Sequence, residues 1–479
     1  MIALRLSEIA RITGGRLADA MNGDDAPGAD PLVDGPVVTD SREAAAGSLY
    51  IARIGDELDG HEFVAAARSQ GAVAALTSRP VADLPSVVVE DVQAAFVALA
   101  QALVERRPDL VVIGVTGSSG KTGTKDLLWS VLKTYGETVA NVGSLNSEVG
   151  VPLTVCRITP TTAYLVLEMG ARGIGHIDYL TRIAQPRIGV VLNVGTAHVG
   201  EFGSREAIGR AKAELVQALP ATGFAVLNAD DPIVSKMAGQ TRAQVIAVGQ
   251  SALAAVRAAD ITLDEQGRPS FSLVTGQGTV SVTLRLHGAH QVGNALSVAA
   301  VALAVGMPLG EVAAALSGAG PVSRWRMEVR ERADGVTIVN DAYNANPDSM
   351  RAALNALAAM GHGRRTWAVL GEMLELGPDS AAEHDAVGRL AVGLGISCVV
   401  AVGRGAQPIH EGARDEASRC GPGKEPALVE EVADTDAAYE LLRRHLGPAD
   451  VVLVKSSRDA GLRWLGDRLA QDAGSEVPS

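Results

Sequence analysis

Apolar residues fall along this chain in two rhythms that alternate. Short apolar runs at residues 110–115, 164–168, 188–194 and 224–228 are separated by stretches with helical spacing. That alternation predicts an α/β fold with a buried parallel sheet. The rhythm returns at residues 336–341, 366–371, 398–403 and 451–456. A smaller mixed unit precedes both. There LSEIARITG reads as a helix, VVTD, SLYIA, AVAALT and SVVVE as short strands, and residues 61–70 and 92–106 as helices. Pro108 ends the last of these, because proline disfavours helix in the residue before it. The Ala-rich run 290–306 has the pattern of a buried helix, and Gly318-Ala-Gly-Pro321 makes a hinge. The division is therefore into three domains: a small mixed α/β unit at 1–107, a central parallel-sheet unit at 108–322, and a second α/β unit at 323–479. Residues 21–35 read as a mobile loop, and residues 419–426 and the tail from 471 as irregular.

Composition narrows the function. A chain of 479 residues exceeds what a single core supports. No run of about 18 apolar residues suggests a membrane span, and the first residues lack the apolar core of a signal peptide. Cys156, Cys398 and Cys420 are scattered, which points to a reducing, cytoplasmic setting rather than a disulfide framework or a zinc site. A net charge of −13 argues against nucleic acid as a partner. The 42 basic residues divide into 7 Lys and 35 Arg, so each lysine invites a reason. Lys121, Lys212 and Lys455 all fall in segments with chemical character. Arginine cannot replace an amine that must lose its proton.

The sharpest local signal is Val115-Thr-Gly-Ser-Ser-Gly-Lys-Thr122, between an apolar strand and a helix. Thr116, Gly117, Ser118, Ser119 and Gly120 are small enough for backbone N–H groups to curl around a phosphate, and the helix start adds its positive end. Lys121 would reach the β- and γ-phosphates, and the Thr122 hydroxyl would face Mg²⁺. Val115 stands where the first glycine of the usual phosphate loop belongs, and an ordinary turn is the alternative.

Chemistry in open parallel sheets gathers beyond the carboxyl ends of the strands. Glu168 ends the strand YLVLE, His198 follows IGVVLNV in the loop Gly195-Thr-Ala-His-Val-Gly200, and Lys212 lies on the next helix. Taken singly, such a histidine and such a lysine are ordinary solvated residues. Downstream of a phosphate loop, a carboxylate and an imidazole could hold a second Mg²⁺ beside a transferred phosphoryl group.

With these segments in place, the chain resembles the Mur ligase family over nearly its whole length. Thr39-Asp-Ser-Arg42, Gly47-Ser-Leu-Tyr-Ile51 and Asp59-Gly-His-Glu-Phe63 resemble the N-terminal UDP-binding domain of its third and fourth ligases. Thr116–Thr122 matches the family's phosphate loop, which dispenses with the first glycine. Glu168, His198 and Lys212 fall where the family has its Mg²⁺ ligands and a carbamylated lysine. His290-Gln-Val-Gly-Asn294 resembles a family helix whose last residue, here Asn294, faces the adenine; Gln291 departs from it. Arg326 resembles an arginine that reaches the ATP phosphates, and Asp341 an acid at the ribose. NDAYNANPDSM (340–350) and GEMLELG with His384 resemble the member that adds D-alanyl-D-alanine. The DYAHTP-like and DNPR segments expected of the third ligase are absent. Lys455-Ser-Ser-Arg458 resembles a KGSR segment with Ser456 for glycine, and Asn146 keeps the first residue of an NN pair whose second position is Ser147.

The resemblance implies an ATP-dependent amide-bond ligase with two Mg²⁺ ions. Its fold would comprise a UDP-binding domain, a phosphate-loop ATPase domain and a Rossmann-like C-terminal domain. Its substrates would be a UDP-N-acetylmuramoyl-tripeptide and D-alanyl-D-alanine, and it would act as a monomer. Ser41, Arg42, Asp59, His61, Asn146, Tyr343, Asn344 and Lys455 would contact substrate; Lys121, Glu168, His198, Lys212 and Arg326 would serve the chemistry. The third domain would close about residues 318–321, to keep an acyl phosphate from water. A related ligase extending folate would lack the first domain. A nucleotide switch would need neither the acid, histidine and lysine set nor a third domain.

Overall fold

The strand Val111–Thr116 lies third from one edge of a nine-stranded sheet, and the chemistry of the central unit is arranged around it. This description comes from a computed structural model that describes residues 1–19, 30–55, 57–195, 199–419 and 427–471. Val111–Thr116 has Tyr164–Glu168 on one side and Ile188–Val191 on the other, both parallel to it. Thr138–Ala140 lies beyond the first neighbour, and Phe224–Asn228, Gln244–Gly249 and Val256–Leu263 continue past the second, all parallel. Successive connections thus leave the central strand in opposite directions. The loop after Thr116 opens at the crevice this creates, where α/β sheets bind ligands.

The sheet is not wholly parallel, which corrects the expectation for this unit. Pro269–Thr275 and Gly278–Thr283 pair antiparallel with Val256–Leu263 and with each other. The links between these three strands are too short for a crossover, so only antiparallel pairing can follow. Helices Gln291–Ala304 and Leu309–Gly318 belong with these strands to one apolar core, in which Leu273, Leu296 and Leu316 are fully buried.

The N-terminal unit is a five-stranded sheet in the order Arg16–Ala18, Ser86–Val88, Ala72–Thr77, Ser48–Ile51, Val37–Val38, antiparallel only at its first pair. Part of the segment read as a loop is strand: Leu32–Val33 pairs antiparallel with Leu4–Arg5, while residues 21–29 lie outside the described residues. Helix Val92–Glu105 starts on Asp91, whose side chain accepts the Ala94 N–H. It buries Phe96, Leu99 and Leu103 in a core that runs on without interruption into the central unit, through Val155, Leu167 and Leu180. Each such side chain contributes roughly 1.5–3 kcal/mol when fully buried, so these two units are joined by packing.

The C-terminal unit has its own cores on the two faces of a six-stranded sheet. Its strand order is Glu328–Glu331, Thr337–Asn340, Val451–Lys455, Thr366–Leu370, Cys398–Val402, Leu428–Val432, parallel except for the first pair. The expected irregular stretches at 420–426 and 472–479 lie outside the described residues. No strand or helix is formed between the end of Leu309–Gly318 and Glu328. The third unit is therefore joined to the central one by an irregular segment. Among the described residues, no helix is long and apolar enough to cross a membrane.

Candidate active site

The phosphate loop and the carboxyl ends of the C-terminal strands face each other across a cleft of about 1260 Å³. Gly120 opens helix Lys121–Leu132 in the left-handed conformation, φ 82°. A Cβ there would meet the Asn294 amide oxygen at 2.8 Å, so glycine is required by conformation and by space. Asn193, at the end of the neighbouring strand, holds the loop open. Its backbone carbonyl accepts the Ser118 N–H at 3.1 Å and its side-chain oxygen the Ser119 N–H at 2.9 Å. Its amide donates to the Ser119 carbonyl at 3.1 Å. The Thr116 hydroxyl is buried and donates to the Met169 carbonyl at 3.0 Å, which makes it a strut. Lys121 Nζ donates to the Gly117 carbonyl at 2.7 Å. Burial lowers its proton affinity; Glu168 opposes the shift and Arg326 adds to it.

Glu168 is 1% exposed and held from two sides. Asn146 donates to its Oε1 at 2.7 Å, and its N–H reaches the Asn141 side-chain oxygen at 2.6 Å. Its Oε2 is buried without a donor. A buried carboxylate oxygen with no partner needs a counter-charge, so the site fits a divalent cation. Among the described residues no three His, Cys, Asp or Glu side chains gather there. His198 lies outside the described residues. Lys212 is not a solvated helix lysine: it is 5% exposed on helix Arg205–Gln217. Burial, then repulsion from Lys121, holds its ammonium well below the ordinary lysine range.

The C-terminal unit contributes the opposite wall. Trp325 and Met327 both have left-handed backbones, φ 59° and 49°, and Arg326 stands between them. Such conformations cost about 1–3 kcal/mol each. They are held by Trp325 N–H to Glu328, its indole to Asp467, and Met327 N–H to Asp341. The Arg326 guanidinium donates to the hydroxyls of Thr122 and Ser144, each at 3.2 Å, and lies 4.3 Å over the Tyr343 ring. Lys455 is 2% exposed and donates to Asp341 Oδ2 at 2.6 Å and to the carbonyls of Asp341 and Asn344. Its three protons are thereby engaged within the protein, and it braces Asp341. Asn346 caps helix Pro347–Gly361 and also accepts the Ser119 hydroxyl at 3.2 Å, so part of the Asn-rich segment is a true helix cap.

Three family models match the chain: the Mur ligase middle domain over residues 115–302, the Mur ligase glutamate ligase domain over 325–458, and the Mur ligase family catalytic domain over 36–112. A UDP-N-acetylmuramoyl-tripeptide–D-alanyl-D-alanine ligase of Mycobacterium tuberculosis is 48% identical over 98% of both chains. This chain belongs to the Mur ligase family. Its fold agrees with a crystal structure of MurF from Acinetobacter baumannii, with a TM-score of 0.84 and 32% identity over 98% of this chain and 99% of that one. A MurF ligase of Thermotoga maritima, solved with ADP, gives a TM-score of 0.77 at 27% identity, over 91% of this chain and 97% of that one.

In this Mur ligase the expected residues other than Thr116–Gly120 of the loop and His198 divide into two groups. Lys121, Thr122, Asn146, Glu168, Lys212, Asn294, Arg326, Asp341, Tyr343, Asn344 and Lys455 all line the one cleft. Ser41, Arg42, Asp59 and His61 do not line it; they lie on the N-terminal unit, in or beside the short 3₁₀ turns Ser41–Glu43 and Gly60–Phe63. His61 Nδ1 lies 2.6 Å from Asp59 Oδ1 and Nε2 accepts the Ser78 N–H at 3.0 Å, so both ring nitrogens are used within the protein. The Asp59 carboxyl is held far below the carboxylate range by the His61 N–H, by Arg79 and by the His61 ring. Arg42 is the exposed member, paired with Asp40 at 2.9 Å. Sequence reasoning missed Asn141, Ser144 and Asn193. Only Asn193 carried a signal, its place at the end of an apolar strand.

Proposed function

We propose that this Mur ligase joins D-alanyl-D-alanine to UDP-N-acetylmuramoyl-tripeptide with consumption of ATP. One observation carries the reading: a phosphate loop at the sheet's switch point is met across the hinge by Arg326, in a chain 48% identical over 98% of its length to a ligase of that name. The peptide's terminal carboxylate oxygen attacks the γ-phosphorus, and ADP leaves. The amine of D-alanyl-D-alanine then attacks the acyl carbonyl, loses a proton, and expels phosphate. The chain's own residues position and neutralise. Gly117–Thr122 would cradle the phosphates, Asn294 and Asp341 the nucleoside, and Arg326 the charge that develops on the transferred group. Thr122, Glu168, His198 and a carbamylated Lys212 would hold two Mg²⁺ ions, which supply charge neutralisation at the phosphates. Closure about residues 318–321 would exclude water from the acyl phosphate.

The proposed division follows the units described above. Residues 1–107 would hold the UDP moiety through Ser41 and Arg42, with Asp59 and His61 shaping the turn; 108–322 would bind ATP, and 323–479 the amine through Tyr343 and Asn344. The protein would act as a cytoplasmic monomer. Phosphate release measured with ATP plus each substrate alone, then both, tests the reading. Sustained release is expected only with both, together with a product one dipeptide heavier. Equal release with ATP alone would mark an ATPase and overturn it.

A further inference from the structure

One turn inside the phosphate-loop helix lies a charged pair that the chemistry above leaves unused. Lys125 and Asp126 are 2% and 8% exposed. Adjacent helix positions do not face each other, yet the Lys125 ammonium bends round to Asp126 Oδ1. A buried ion pair is no better for stability than apolar side chains of similar volume, so packing alone does not account for it. Its remaining contacts do. Lys125 Nζ also donates to the Asn141 carbonyl at 3.0 Å. Asn141, 3% exposed, accepts the Glu168 N–H on its side chain at 2.6 Å. On the other side, Asp126 Oδ2 accepts the Ser323 N–H at 3.2 Å. Ser323 belongs to the segment between the central and C-terminal units, three residues before Arg326.

We infer that Asp126 is a positioning residue that couples the placement of the hinge segment to the support of Glu168. The inference rests on the ligase reading of the cleft. With Ser323 in this position, Asp126 divides its charge between the Ser323 N–H and the Lys125 ammonium, and Lys125 remains shared with the Asn141 carbonyl. Without Ser323, Oδ2 loses its donor and competes for the ammonium, drawing it from Asn141. The backbone that presents Asn141 to Glu168 then loses a fixed point. Glu168 is thus held firmly only when Arg326 has been delivered to Thr122, which ties phosphoryl transfer to closure.

Four proteins test this: wild type, Asp126→Asn, Ser323→Pro, which deletes the N–H and leaves the buried pair intact, and the double variant. Each single change should lower kcat for ligation about tenfold with KM for ATP within about threefold, and the double should be no slower than the worse single. Amide hydrogen exchange at Glu168, read without substrates, should quicken in Ser323→Pro and stay near the wild-type rate in the double variant, where no carboxylate remains to draw the Lys125 ammonium from Asn141. Multiplied losses in the double variant, or unchanged exchange at Glu168 in Ser323→Pro, overturn the coupling. If Asp126→Asn does not fold, Ser323→Pro decides alone, and normal kcat with normal exchange sinks it. A wild type that makes no ligation product rejects the ligase reading, while the exchange result still judges the Asp126 link.

Discussion

Arg326 donates to the hydroxyl of Thr122 at 3.2 Å, across 204 residues of chain and across the boundary between two sheets. The contact places a guanidinium beside the phosphate loop. Strained backbone at Trp325 and Met327 holds it there, with the Tyr343 ring beneath. Replacing Arg326 by Ala should lower kcat by about 10²–10³, the usual loss when one charge-stabilising donor is removed. Arg326→Lys should fare little better, since an ammonium has no planar face to lay on the Tyr343 ring and hold its place beside the two hydroxyls. Steady-state kinetics of both variants check this; a lysine variant retaining most of kcat would show that charge alone suffices.

Lys121 is tied in this structure to the Gly117 carbonyl, a contact that a phosphate would replace. Lys121→Ala should leave the unfolding transition in place and abolish ligation. Near-normal turnover would refute the assignment of the loop.

Lys212 offers a test by pH. Its proton affinity is lowered by burial and then by Lys121, so the folded chain binds fewer protons there than the unfolded chain. Stability should therefore rise with pH between the depressed value and about 10.4, the value in unfolded chains. Lys212→Met should flatten that part of the curve of unfolding free energy against pH, measured in bicarbonate-free buffer. The same neutral amine can take up carbon dioxide as a carbamate. Lys212→Ala and Lys212→Arg should both be nearly inactive, and short carboxylic acids should restore part of the Ala variant's rate. An active Arg variant would exclude the carbamate.

Arg42 is exposed and pairs with Asp40, away from the main cleft. Arg42→Ala should leave the unfolding midpoint and ATP binding unchanged while weakening the UDP-linked substrate, as titration calorimetry would show. Unaltered binding of that substrate would remove the N-terminal unit from recognition.

What the sequence determined is what lies close together along the chain. The run from Thr116 to Thr122 specifies a strand end, a left-handed glycine and a helix start, which local backbone sterics nearly dictate. Glu168 and Asn193 were marked or could be marked by ending apolar strands. The repeated strand and helix rhythm likewise gave three units, because buried parallel strands read as apolar runs. Short connections between residues 256 and 283 were equally present in the sequence, yet the strands they join lack a continuous apolar run, and the antiparallel edge went unread. Only the tertiary structure decided the partners: Asn141 under Glu168, Asn193 around Ser119, Asp126 on Ser323, and Arg326 on Thr122. It also turned Lys212 inward and spent Lys455 on Asp341. These contacts depend on which strands become neighbours and how the third sheet meets the second. That choice is made by burial summed over whole cores, and no short stretch of sequence records it.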